Sequence, residues 1–191
     1  QVMQYYNGEA VEPTIEVCFS DYMELEKQKR EKMEAVDKEF WMQNIQNFTA
    51  GPFIEKVQKD APDIPYFYSL ENVIEAEKWS AVERKLRKQR ILPTIYLLTA
   101  YARMVSAWTN NEKLTINMTV SDRNNGYGKN FNETIGDFTK ILPVDFDFTE
   151  SEDLITTAKK TQNKIAEYKK HMNCNITSFA REVALKYQME D

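Results

Sequence analysis

The stretch that most constrains how this chain can fold runs from Leu114 to Phe148. Leu114, Ile116, Met118 and Val120 alternate with Thr115, Asn117, Thr119 and Ser121, and a repeat of two sends alternate side chains to opposite faces of a strand. Leu142, Val144, Phe146 and Phe148 alternate in the same way with Pro143, Asp145 and Asp147. Strands are therefore expected over 113–121 and 139–148. The first has one apolar face for a core and one face of amides and hydroxyls. Buried polar groups need partners, so a polar face inside a protein meets other polar groups or lines a channel. The connection between the strands is rich in Gly and Asn, which predicts a loop. Its Gly126-x-Gly128 pair lacks the spacing of a phosphate-binding fingerprint.

The remaining chain reads as helices around these strands. Ser20 or Asp21 is expected to cap a helix reaching about Asn47, with Tyr22, Leu25, Met33, Val36 and Phe40 on its inner face. A short strand is expected at Ile15, Val17 and Phe19. The charged run from Glu26 to Glu39 reads as a solvated face. Gly and Pro mark a loop region over 50–63, and Tyr66–Ile74 is β-prone. Ser80 and Glu83 match a capping box for a helix to about Arg90 whose basic end suits the helix dipole. Pro93-Thr94 opens a helix over 93–108 that is apolar nearly all round, and so is expected to be buried. Thr149 and Glu152 match a second capping box, before a stripe of Leu154, Ala158, Thr161, Ile165, Tyr168 and Met172. Thr177 is expected to cap a last helix carrying Phe179 and Val183.

Composition removes several function classes. The 191 residues suffice for one domain with a core, and no composition shift marks a second. A net charge of -5 argues against a nucleic-acid surface, which needs clustered Lys and Arg. Cys18 and Cys174 cannot make a disulfide framework, and a reducing cytoplasm is the simpler reading. Without a signal-peptide pattern, the Asn-x-Ser/Thr matches at Asn47, Asn117, Asn132 and Asn175 read as chance. No apolar run has the length of a membrane span. No CxxC pair suggests zinc, and His171, the sole histidine, reads as a solvent-facing cap at the end of a lysine-rich helix.

Chemistry concentrates at a few positions. Asn117 can donate and accept together, and so can hold a carbonyl or hydroxyl, or satisfy a neighbouring backbone group. Asp137 and Thr139 have the types needed for proton transfer, although Asp and Thr in a turn more often bond local amides. Arg123 beside Asp122 suggests a buried pair that anchors the loop.

Asn117-Met118-Thr119-Val120-Ser121-Asp122-Arg123 followed by Ile135-Gly136-Asp137-Phe138-Thr139 resembles the heterocyclization domains of nonribosomal peptide synthetases, a branch of the condensation-domain family. Ordinary condensation domains typically carry Ile-Gly-x-Phe-Val-Asn-Thr at the second motif. Phe19-Ser20-Asp21-Tyr22, Phe40-Trp41, Trp79, Pro93-Thr94 and Ser106-Ala107-Trp108 also fall in the family's order. The resemblance implies an α+β fold, part of a chloramphenicol-acetyltransferase-like lobe with helices packed on a mixed sheet. It implies that 1–191 is a single partial domain, mostly C-terminal lobe. The family's Asp-rich N-terminal signature is absent, and the late catalytic Thr and Asp are expected beyond Asp191, so the isolated chain is expected to be inactive. Lys140 stands where the family usually has Ser.

The same resemblance implies condensation of a carrier-bound acyl group with Cys, Ser or Thr and closure to a thiazoline or oxazoline. Asn117 lies where cyclization domains have a strand Asn implicated in activity. Gly136, Asp137, Phe138 and Thr139 are motif residues with Asp122 and Arg123. No cofactor or metal is expected on this chain; phosphopantetheine arrives on partner carrier domains, and neighbouring synthetase domains are the other partners. The alternatives are an ordinary amide-forming condensation domain, a non-catalytic carrier-docking lobe, and a coenzyme-A-dependent acyltransferase of related fold.

Overall fold

The computed structural model describes residues 2–8, 17–49, 52, 69–123 and 126–187. Among the described residues, six helices and two strands follow in the order α1 (Val2–Tyr6), α2 (Phe19–Gln43), α3 (Ala76–Lys88), α4 (Pro93–Thr109), β1 (Lys113–Ser121), β2 (Thr139–Asp147), α5 (Leu154–Tyr168) and α6 (Ile176–Lys186). Short 3-10 turns, Ile45–Asn47 and Lys169–His171, follow α2 and α5.

The two strands pair antiparallel, with Lys113 opposite Asp147, Asn117 opposite Pro143 and Ser121 opposite Thr139. The Phe148 amide extends the pairing by donating to the Glu112 carbonyl at 2.8 Å. The alternation in β1 translates directly into burial: Leu114 is wholly buried, while Asn117 and Thr119 are exposed. In β2, Leu142, Val144 and Phe146 are buried, but so are Pro143 and Asp145. Asp145 tolerates burial because Lys164 Nζ lies 2.6 Å from one carboxylate oxygen and the Tyr168 hydroxyl donates to the other at 2.7 Å. The sheet therefore packs on α5, whose Ala158, Thr161, Ile165 and Tyr168 form the expected stripe. One core cluster joins Trp41, Phe48, Leu114, Val144, Phe146, Tyr168, Phe179 and their neighbours.

Several helix starts differ from the sequence reading. α2 begins at Phe19, so neither Ser20 nor Asp21 is its cap, and no strand includes Phe19. Asp21 sits inside the first turn and accepts from the Cys18 amide at 2.8 Å. Hydrogen bonds from the Cys18 thiol and amide, with Lys129 nearby, lower its carboxyl to about 2. α3 starts at Ala76, which puts Ser80 in mid-helix. Asp153 caps α5 in place of Thr149, accepting from the Ile155 and Thr156 amides at 2.9 and 3.0 Å. Asn175 caps α6 in place of Thr177, accepting from the Thr177 amide at 3.0 Å. At α5 and α6 the Asp or Asn immediately before the helix places its side-chain oxygen on free first-turn amides.

Two faces also differ. The inner face of α2 runs through Tyr22, Asp37 and Trp41, leaving Met33 and Val36 exposed. Asp37 is thus a buried member of an otherwise solvated charged run. α4 buries Ile95, Thr99, Ala102, Val105 and Ser106, but Leu97, Tyr101, Met104 and Trp108 are exposed. It is half-covered because α5, β1 and α3 all pack on the other side. Asn110 ends α4 in the left-handed region at φ 53°, where Asn is tolerated. The expected strand residue Ile15, the loop over 50–63 apart from Pro52, and Tyr66–Tyr68 lie outside the described residues. Residues 69–75 are exposed and have no regular structure.

Candidate functional site

β1 holds Asn117 rigidly while leaving its side chain exposed. The period of two places it on the polar face with Thr115 and Thr119, opposite Pro143 of β2. Thr115 is engaged, its hydroxyl accepting from the Thr49 amide at 3.0 Å. The Asn117 amide makes no hydrogen bond within the described residues. It borders two open clefts. One, of about 200 Å³, is mainly apolar and lies against α6. The other, of about 470 Å³, includes Glu26, Arg30 and Lys140. An unpartnered amide between an apolar and a charged cleft can hold a carbonyl oxygen without first giving up another bond.

Asp122 lies five residues along the same segment, in a closed polar knot. Its side chain is 2% exposed. Tyr22 donates its hydroxyl to it at 3.0 Å, Tyr127 also donates, and Lys140 Nζ lies 2.9 Å away. Lys140 is shared with Glu26 at 3.3 Å, so it ties β2 to α2. Burial, then the neighbouring Asp122 charge, pushes the Tyr22 phenol well above its ordinary value. Tyr127 moves the same way, chiefly through burial and its bond to Asp122. Both phenols therefore stay protonated and act as fixed donors.

Arg123 turns away from this knot. Its Nη1 donates to the Phe131 and Thr134 carbonyls, and its guanidinium lies 4.0 Å from the Phe138 ring centre. Asp122 and Arg123 do anchor the loop, but through these separate partners. The Asp122 amide donates to the Phe138 carbonyl at 2.8 Å, joining the two sequence motifs. Phe138 is buried against Tyr22 at 4.6 Å between ring centres. Gly136 is required by contact: the Phe19 ring occupies the space a β-carbon would take. Asp137 Oδ1 accepts from the Thr139 amide at 2.9 Å, and this exposed carboxyl is lowered by bonds from the Thr139 hydroxyl and amide. The motif residues thus gather at the α2–β2 corner, while Asn117 stands apart on the strand.

Sequence reasoning missed Tyr22, Glu26, Tyr127 and Lys140 as members of one network. They come from three separate stretches, and no spacing rule connects them. His171 corrects the expectation of a solvent-facing cap. It stacks on Phe40 at 3.8 Å between ring centres and places Nδ1 3.1 Å from Asp37, which is wholly buried. Asp37 also accepts from the Asn173 amide and side chain, each at 2.8 Å. The chain between α5 and α6 carries His171 back onto α2, which helix periodicity could not reveal. No group of His, Cys, Asp and Glu among the described residues has the geometry of a metal site. No described helix is long and apolar enough to cross a membrane.

The α+β arrangement agrees with solved structures. The cyclization-docking bidomain of the EpoB nonribosomal peptide synthetase from Sorangium cellulosum superposes with TM-scores of 0.78 and 0.80 in its monoclinic and rhombohedral crystal forms. Identity is 22% and 20%, over 96% and 99% of this chain and 37% and 38% of those chains. The SgcC5 protein from Streptomyces globisporus matches with a TM-score of 0.68 and 22% identity, over 88% of this chain and 38% of that one. In sequence, bacitracin synthase 1 from Bacillus licheniformis is 24% identical over 181 residues, 93% of this chain and 3% of the synthase. The chain thus spans little more than a third of these solved structures and a small part of the synthase. The condensation-domain model matches residues 1–191, and the chain accordingly belongs to the condensation-domain family.

Proposed function

We propose that this chain is part of a cyclization domain in a nonribosomal peptide synthetase. The observation that carries the reading is Asn117: a side-chain amide on the polar face of a paired strand, without a hydrogen-bond partner among the described residues and bordering open clefts. Its sequence setting, and the Gly136-Asp137-Phe138-Thr139 turn, resemble those of the cyclization branch more than those of the amide-forming one.

In this reading an acyl group arrives as a thioester on the phosphopantetheine arm of a carrier domain. The amine of a Cys, Ser or Thr on a second carrier attacks the thioester carbonyl, and the carrier thiol leaves. The side-chain thiol or hydroxyl then attacks the new amide carbonyl, the oxygen takes up a proton, and loss of water closes a thiazoline or oxazoline. Both attacks build negative charge on a carbonyl oxygen. A placed donor is most effective where such charge develops, and the Asn117 amide is suited to that role. Asp137 and Thr139 bond each other at the turn, which fits a part in holding the motif rather than in moving protons. The reaction proposed needs no metal or nucleotide on this chain. It takes place in the cytoplasm, among neighbouring synthetase domains.

The test uses the complete parent enzyme, its carriers loaded with an acyl group and with Cys, Ser or Thr. Mass spectrometry of the released product is expected to show the condensed product less one water. A linear amide that keeps its water would mean ordinary condensation, and absence of any amide would leave carrier docking as the remaining role.

A further inference from the structure

We propose that the apolar cleft beside Asn117 is the subsite for the hydrocarbon substituent of the incoming acyl group, with Ala184 setting its size limit. This rests on the condensing role proposed above. The cleft lies between the segment after α2, the β1–β2 pair and α6, and its walls are Phe48, Pro143, Phe179 and Val183. Its volume of about 200 Å³ has room for roughly six groups of about 30 Å³ each. That is the size of a branched aliphatic or small aromatic substituent.

The neighbouring cleft mixes apolar side chains, Met172 and Ile176 among them, with Glu26, Arg30 and Lys140, and covering those charges with hydrocarbon removes their hydration, a penalty the first cleft does not carry. Asn117 borders both clefts, so a hydrocarbon placed on the apolar side brings the attached carbonyl towards the amide. Thr49 supplies an independent sign. It lines the apolar cleft, and its hydroxyl is the one buried side-chain polar atom among the described residues with no hydrogen-bond partner. Such groups are rare, and an aminoacyl occupant, with an amine and a carbonyl beside its hydrocarbon, gives this one a partner.

The size limit comes from α6. Ala180 and Ala184 are four residues apart, so they share the helix face that closes the cleft. Ala184 borders the apolar cleft but not the charged one, so a larger side chain there fills the proposed subsite and leaves the surroundings of Lys140 untouched.

The experiment uses the complete parent enzyme with alanyl, leucyl and phenylalanyl donors on the upstream carrier and a constant cysteinyl acceptor. Ala184→Leu is expected to keep alanyl turnover within about twofold, while leucyl and phenylalanyl fall about tenfold or more, the usual penalty for filling a hydrophobic pocket. Ala184→Val, a smaller change that guards against a folding defect, is expected to fall between wild type and Ala184→Leu. Thermal unfolding is measured for each variant. Equal losses for all three donors, or no change in either variant, would overturn the subsite while wild-type turnover remains. A change in the ranking of acceptors, tested with a constant alanyl donor, would assign the cleft to the acceptor and also overturn the proposal. If wild type forms no amide with any donor, the condensing role fails, and this subsite with it.

Discussion

Asn117 and Asp122 lie five residues apart on one strand segment, and the fold treats them in opposite ways. Asn117 is exposed, makes no hydrogen bond within the described residues and faces open clefts. Asp122 is buried, with two phenols and a lysine on its carboxylate and its backbone tied to Phe138. Both belong to the same short motif, so motif membership does not separate chemistry from architecture. Satisfaction of polar groups does. A side chain whose donors and acceptors are fully used holds structure, and one left unused on a rigid element is available to a ligand.

The largest expected effect breaks the closed side of this contrast. Asp122→Ala leaves Lys140 and the two phenols around an emptied site, and removing one partner of a buried charge pair costs about 3–5 kcal/mol. Chemical denaturation should show that loss; a change under about 1 kcal/mol would mean the knot does not hold the α2–β2 corner. The open side should respond differently. Asn117→Ala is expected to shift stability by no more than about 0.5 kcal/mol, as for an exposed position. In the complete enzyme it should cut heterocycle formation per folded molecule about a hundredfold, roughly 3 kcal/mol of lost oxyanion stabilisation. Unchanged turnover would remove Asn117 from the chemistry.

Smaller effects sharpen the comparison. Gly136→Ala drives a methyl group into the Phe19 ring and should cost about 1–3 kcal/mol in thermal or urea unfolding. Adding Phe19→Ala should cost less than the two single losses summed, because the clash is then gone. Thr49→Val replaces an unsatisfied buried hydroxyl with a methyl group, so stability should hold or rise by up to about 1 kcal/mol in the absence of substrate. A loss above that would mean the hydroxyl has a structural partner.

The smallest effect lies at the sheet end away from the knot. The Thr149 hydroxyl, with Lys113 assisting, holds Asp147 down to about 2. Its folded value is thus below the unfolded one, near 4. The stabilisation it contributes is complete above that unfolded value and is lost as pH falls from about 4 towards 2. Asp147→Asn should flatten this part of the acid unfolding curve and leave stability at neutral pH only slightly lower.

Much of the fold was legible because it rests on period. The alternation over 113–121 and the three-and-four spacing of Ala158, Thr161, Ile165 and Tyr168 each state which face is inward. Caps were less legible: Thr149 and Thr177 match cap patterns, yet Asp153 and Asn175, each immediately before its helix, take the amides. The apolar circumference of α4 suggested burial all round, but hydrophobicity does not say which neighbours are present, and Trp108 is 73% exposed. In the site, Asn117 could be singled out by its place on a polar strand face. Its two clefts could not, because they are shaped by α2, α6 and the segment after α2, which lie far away in sequence.

Local pattern by itself determined the strand pair, the helices and the position of the motif residues, since side-chain period and turn chemistry act over a few neighbours. Tertiary structure alone decided which polar groups meet. The contact of Tyr22 with Asp122 spans 100 residues, and that of His171 with Asp37 spans 134. Hydrogen bonds and ion pairs act over a few ångströms in space and take no account of separation along the chain. Whether Lys140 is a free cation or a strut, and whether Asn117 is occupied or open, is therefore settled only when α2 folds back against the sheet.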